Sequence, residues 1–357
     1  MLFRSEALTI AFLIQSKIAS PISKSFEAIL KKMFNALSYY PYSNGKLPNI
    51  GNQVVSRLLP LSFNNEKNYA YDLLTLGAII FNDSNNNFSQ SNSLLNIAFL
   101  LGENGFTTYK KLEKSSTLLQ SWSLTDGGYF GLINENFNIF VNGGTSLKNK
   151  FSHNDIFTFE IFYKDKPFIV ERGLNYNFYN SEINKKFSST FSHNTFLIDR
   201  LPPSTEENET KSKDTITKPK LVEWKSDNEE DSLILQHHAY LKFVDPVISK
   251  RSFYLQKEIN KLKITDEFLG GDYHYIQTSI HFHPEVRVEK ISENEFRLIN
   301  DSAILILKIS TPSKNYFVSL LDSHYSEKYL QIEESKKLVL SLEETFPVFY
   351  FIEIYPE

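Results

Sequence analysis

The sequence predicts an α+β protein, with helices first and a large antiparallel β-sandwich after them. Three observations carry this reading. Apolar residues recur at helical spacing up to about residue 120. From about Trp122 the apolar period changes to two. No region alternates strand with helix as a parallel sheet requires, so helices and strands divide into residues 1–120 and 121–357.

The elements follow in order. Residues 7–14 form an apolar run behind Met1-Leu2-Phe3-Arg4, the order of a signal peptide. The single early charge and Glu6 weigh against that, and Leu8, Phe12 and Ile18 fit an amphipathic helix. Residues 25–37 place Phe26, Ile29, Leu30, Met33 and Leu37 on one helical face, with Lys31 and Lys32 opposite. Tyr40-Pro41 and Ser43-Asn44-Gly45 stop that helix. Residues 69–81 read as a helix through Leu73, Leu76 and Ile80, and the polar run 82–87 as a loop. A short helix over 93–101 is expected to end at Gly102. Then Phe137, Ile139 and Val141 alternate with polar neighbours, as do residues 261–265, while 303–307 is a more buried run. Residues 202–218 are polar apart from Ile216 and read as an exposed excursion between strands.

The chain has 357 residues, enough for two domains, and 41% hydrophobic content marks it as folded. Lys and Arg number 38 against 42 Asp and Glu, for a net charge of −4, which argues against non-specific nucleic-acid binding. A polyanionic partner would need a local basic groove. There is no cysteine, which excludes disulfides and thiolate chemistry. No apolar run is long enough for a membrane-spanning helix.

The chemistry-bearing motifs are Phe151-Ser152-His153-Asn154-Asp155 and Phe191-Ser192-His193-Asn194-Thr195, with Val170-Glu171-Arg172-Gly173 between them. Two imidazoles and a carboxylate at strand edges suit one divalent ion, most readily Zn²⁺. The alternative is that the histidines cap strand ends and bond to backbone. Asp155 fits either a residue orienting one histidine or a turn. His281 and His283 share a strand face and can chelate, or can be half-buried strand residues. His237 and His238 point to opposite faces. His274 and His324 have no partner in sequence.

The segment from about Asp126 to Asp199 resembles the C-terminal domain of the heparinase II/III family of polysaccharide lyases. The matching stretches are Asp126-Gly127-Gly128-Tyr129, Ser152-His153-Asn154-Asp155, Val170-Glu171-Arg172-Gly173, residues 189–195 and Ile198-Asp199. Upstream, the segment from Leu47 to Asn52 looks like the family's link between toroid helices. The resemblance implies an α/α toroid followed by a sandwich, with His153, Glu171 and His193 holding a zinc ion. Glu171 stands where the family has Asp, and Arg172 where it has Pro. It also implies β-elimination on an acidic, uronate-containing polysaccharide and a periplasmic or cell-envelope location. The first 120 residues hold only a few toroid helices, so a separate chain supplying the rest is one expectation.

Under that reading His193 and Tyr176 are the candidate catalytic residues. Tyr179, Lys185, Lys186 and Trp122 are candidate substrate-binding residues, since sugars stack on aromatic faces and lysines neutralise uronates. Lys148 and Lys150 flank the same motifs. Core packing and a solvated charged surface are the competing explanations. Phe151, two residues before His153, replaces a histidine that is sometimes catalytic in the family, and it cannot transfer a proton. The expectations are thus a lyase-like protein or a non-catalytic relative that binds glycan or supports surface-polysaccharide production.

Overall fold

The computed structural model of the chain describes residues 2–18, 22–42, 45–50, 58, 69–84, 94–113, 120–144, 155–173, 187, 189–202, 219–327 and 331–357. Contacts divide it into two compact units, one of residues 1–48 and 55–119, the other of residues 49–54 and 120–357.

The first unit is helical: α1 (Leu2–Lys17), α2 (Lys24–Leu37), α3 (Tyr69–Phe81) and α4 (Leu94–Lys111). In α2 the buried face is Leu30, Phe34 and Leu37, a spacing of four and three, and it packs on Tyr71, Leu73 and Leu74 of α3. Ile29, expected on that face, is 54% exposed. The actual stripe runs one position further round, through Phe34. The first helical stretch of α4 ends at Gly102, as the sequence predicts. Gly102 takes φ 61° and ψ −155°, a conformation open to glycine, and a second helical stretch resumes beyond it.

The second unit is built of strands: β1 (Trp122–Leu124), β2 (Tyr129–Ile133), β3 (Phe137–Asn142), β4 (Thr158–Tyr163), β5 (Lys166–Ile169) and β6 (Phe196–Ile198). There follow β7 (Lys220–Ser226), β8 (Glu230–His237), β9 (Ile248–Gln256), β10 (Lys261–Leu269), β11 (Tyr273–His281) and β12 (Arg287–Lys290). The last are β13 (Glu295–Asn300), β14 (Ala303–Ser310), β15 (Tyr316–Tyr325), β16 (Glu333–Thr345) and β17 (Val348–Pro356). They form three antiparallel sheets, ordered β1-β2-β3-β4-β5, β12-β13-β14-β17-β10-β9-β8-β7 and β15-β16-β11-β6. This is the helix-then-sandwich order that the sequence predicts.

One apolar cluster unites the three sheets, including Ile139, Phe159, Phe168, Phe253, Ile264, Ile276, Leu340 and Ile352. Period two explains the choice. Leu262 and Ile264 of β10 are fully buried, while Lys261, Lys263 and Thr265 are partly exposed. Each such side chain taken from water contributes about 1.5–3 kcal/mol. The same alternation also places an ion pair inside: Arg251 of β9 sits opposite Asp266 of β10, which sits opposite Tyr350 of β17. Arg251 and Asp266 are fully buried and form a two-pronged ion pair, with Nε and Nη2 each 2.6 Å from a carboxylate oxygen. Tyr350 donates its hydroxyl to Asp266 and also meets Thr278 of β11. Residues 203–218, most of the expected polar excursion, lie outside the described residues.

Candidate functional site

The site grows from the exit of β5. Val170 donates its N–H to His281 O at 3.1 Å, and His283 donates to Phe168 O at 3.1 Å, so this stretch lies along the end of β11. Gly173 turns the chain at φ +75° against Ser326, whose carbonyl oxygen would lie 1.9 Å from any Cβ placed there. No other residue fits. Ser326 in turn donates to Arg172 O at 2.9 Å. Held on both sides, the turn buries Glu171 and leaves Arg172 half-buried.

The second wall is the turn before β6. A short 3₁₀ helix, Thr190–Ser192, ends at His193, whose N–H bonds Thr190 O at 3.1 Å. Asn194 has no exposed surface and pins the turn. Its side-chain amide donates to Phe159 O at 2.8 Å and Val170 O at 3.0 Å, and its side-chain oxygen accepts His281 N–H at 2.7 Å. The buried Arg251 donates Nη1 to both Asn194 O and Phe157 O at 2.8 Å. One amide and one guanidinium thus tie β4, β9, β11 and the residue after β5 to the site.

These walls bring Glu171 and His193 into direct contact, His193 Nδ1 against Glu171 Oε2. Glu171 Oε1 accepts the Asn194 N–H at 3.0 Å, and the Glu171 N–H donates to Glu160 Oε1 at 3.1 Å. Burial disfavours charge on His193, but the adjacent Glu171 carboxylate outweighs it and raises the imidazole pKa. Asp155 adds to that pull. Asn49, expected with the helices, belongs to this unit: its N–H and side-chain amide lie 3.4 Å from Glu160 Oε1 and Glu171 O.

A cluster of basic groups, not foreseen from sequence, surrounds Phe191 and Ser192. Arg172 donates Nη1 to Ser192 Oγ at 2.7 Å and Nε to His324 O at 2.8 Å, with its guanidinium 4.5 Å from the Phe187 ring centre. Lys337, on β16 opposite His281 of β11, places its ammonium 3.4 Å from the Phe191 ring centre. His281 Nε2 lies 3.2 Å from Phe191 O, and Nδ1 3.2 Å from Ser323 Oγ. A carbonyl oxygen only accepts, so Nε2 carries a proton toward Phe191 O. Burial, then the charges of Arg172, Lys337 and His193, hold its pKa well below the ordinary value. Burial lowers Arg172 to about 10; burial and Arg172 lower Lys337 to about 8.

Of the expected ion ligands, Glu171 and His193 meet, and their oxygen and nitrogen are donors that Zn²⁺ accepts. His153 lies outside the described residues. Among the described residues no three His, Asp or Glu side chains are grouped to hold an ion. Tyr176, Tyr179, Lys148, Lys150, Lys185 and Lys186 also lie outside them. Trp122 packs over Gly131 and against Phe140, and is 9% exposed, which is a packing position. His281 and His283 are not a chelating pair. Both His281 nitrogens face other partners, and His283 lies beyond the strand, edge-on to Tyr325. His274, without a partner in sequence, gains Asp199 at 2.7 Å.

The helical unit, the three antiparallel sheets and this buried His–Glu corner define a glycan-lyase-like fold. The chain belongs to the heparinase II/III family: the family profile described as "Heparinase II/III-like, C-terminal" matches residues 116–348. Among solved structures, a heparan sulfate lyase HepC mutant from Pedobacter heparinus shares the fold at TM-score 0.74 and 13% identity, over 99% of this chain and 51% of that one. A heparinase III structure matches at TM-score 0.68 and 14% identity, over 99% and 53%. A heparinase III gene product with methylated lysines matches at 0.72 and 13%, over 94% and 47%. The chain spans about half the length of these structures. No curated protein matches the sequence. Among the described residues no helix is long and apolar enough to cross a membrane.

Proposed function

We propose that the chain serves a polysaccharide lyase acting on an acidic, uronate-containing glycan by β-elimination. The family membership of residues 116–348 carries this reading. In that reaction a base removes the proton α to the uronate carboxylate, and an acid protonates the departing glycosidic oxygen. The α proton is weakly acidic, so the carboxylate charge must be offset as the carbanion forms. In this reading Tyr176 and His193 are the proton-transfer candidates. Glu171 orients the His193 ring through Nδ1, directing Nε2 away from that carboxylate. Tyr179, Lys185 and Lys186 contribute sugar and carboxylate contacts.

His153, Glu171 and His193 would hold a divalent ion, Zn²⁺ by donor type. A bound ion supplies a fixed positive charge and locks the two motif turns together. The residues themselves already do the second task through the His193–Glu171 contact and the Asn194 bonds.

The test is incubation of the chain with a panel of uronate polysaccharides, following the ultraviolet absorbance of the unsaturated product. Weak turnover is expected from this chain alone, confined to uronate polymers. Neither product nor binding on any of them would defeat the proposal. The second reading, a glycan-binding relative without turnover, is favoured by Phe151 two residues before His153. Tight binding with no product absorbance would select it.

A further inference from the structure

We infer that Arg172 and Lys337 form a carboxylate-binding subsite that takes the uronate group of one sugar residue. This rests on the reading of an acidic glycan as ligand, and it adds two residues and a role that the family pattern does not supply. Arg172 stands where that pattern has proline, a residue with no donor.

Geometry carries the inference. Both cations are anchored on consecutive residues of one turn, Lys337 on the Phe191 ring at 3.4 Å and Arg172 on Ser192 Oγ at 2.7 Å. Arg172 spends one Nη1 hydrogen on Ser192 and its Nε hydrogen on His324 O. Its three other N–H groups have no hydrogen-bond partner among the described residues. A planar guanidinium presenting such hydrogens matches a carboxylate with two parallel bonds, and a lysine beside it adds a point charge.

Neither side chain forms a salt bridge with a carboxylate among the described residues. Glu171, the acid whose charge acts on Arg172, is engaged by His193 and the Asn194 N–H. Lys337 is only 8% exposed and lies in a strand whose Ser335 and Val339, on the same face, are also buried. Two like charges gathered in a half-dry corner cost stability unless an anion joins them. A second, independent feature points the same way. Ser279 Oγ and Thr190 Oγ1 are buried with no hydrogen-bond partner among the described residues. Ser279 shares a face of β11 with His281, and Thr190 precedes Phe191. Each hydroxyl lies within two residues of a group that anchors or faces the two cations, and each has a hydrogen bond to give a polar ligand.

The test is calorimetric titration of the full chain with an unsulfated glucuronate-containing tetrasaccharide and with its carboxyl-reduced counterpart. The wild type is expected to prefer the acidic sugar by about tenfold or more, the scale of one charge-assisted contact. Arg172→Gln and Lys337→Gln should each erase most of that preference while leaving the reduced sugar's affinity unchanged, and Lys337→Arg should retain it. If Lys337→Gln fails to fold, the half-exposed Arg172→Gln decides. Equal binding of the two sugars by the wild type, or unchanged preference in both variants, overturns the subsite and leaves the glycan reading standing. No binding of either sugar removes both. Displacement of the acidic sugar by inorganic sulfate but not by free glucuronate would assign the cations to sulfate instead, overturning the carboxylate role.

Discussion

Lys337→Met gives a quantitative check on the basic corner. Methionine keeps the length and the flexible apolar stem and removes the charge together with its contact to the Phe191 ring. In the folded chain burial, then Arg172, lowers the ammonium from the ordinary 10.5 to about 8. Above pH 8 the unfolded chain therefore holds a proton that the folded chain has lost, and wild-type stability rises with pH until about 10.5. Below pH 8 both states are protonated and the full penalty of the buried charge is present. At 1.36 kcal/mol per pH unit that penalty corresponds to roughly 3 kcal/mol. Screening by the remaining solvent contact, and loss of the Phe191 ring contact in the variant, worth about 0.5–1 kcal/mol, reduce the expected gain to about 1–2 kcal/mol. Urea denaturation at pH 7 should therefore find Lys337→Met more stable than wild type. At pH 10.5 the difference should shrink to within about 0.5 kcal/mol. A variant less stable at pH 7, or a gain independent of pH, would refute the argument that a charge is stored at this position.

Two further outcomes follow from the geometry, and a third tests the proposed ion site. Asp266→Asn leaves the Arg251 guanidinium charged and buried without its counterion, and should cost about 3–5 kcal/mol by denaturant titration. Asn194→Ala removes the bonds to Phe159 O, Val170 O and His281 N–H, and should cost about 2–4 kcal/mol and increase amide exchange at residues 189–195. Elemental analysis of protein purified without chelator should find close to one equivalent of zinc, lost in His193→Ala. Less than a tenth of an equivalent in the wild type despite added zinc would count decisively against His153, Glu171 and His193 as ligands.

The site was legible only in part. Glu171 and His193 stood out because each sits in a short motif at a strand edge, and the order of motifs pointed to one corner. Arg251 and Asp266 also carry a sequence signal. Each is a charged residue at an inward position of an otherwise apolar period-two strand, between Ser249 and Phe253 and between Ile264 and Phe268. Lys337 carries less. Its strand reads as apolar from Leu338 onward, and the lysine before it looks like a solvated strand end.

By itself the sequence determined which stretches are helix and which are strand, and which side chains face inward. Those follow from apolar period, a local property that burial of one face enforces. It also determined the family, through motifs held in fixed order. One local rule met its limit in the helical unit, where Phe34 displaces Ile29 at the packed face. Only the tertiary structure decided which distant residues meet. Pairing of β11 with β16 sets Lys337 opposite His281, Gly173 passes against Ser326, and Asn194 fastens the turn that carries Phe191 to both. Strand register and buried hydrogen bonds between remote segments fix those encounters, and no short-range pattern encodes them.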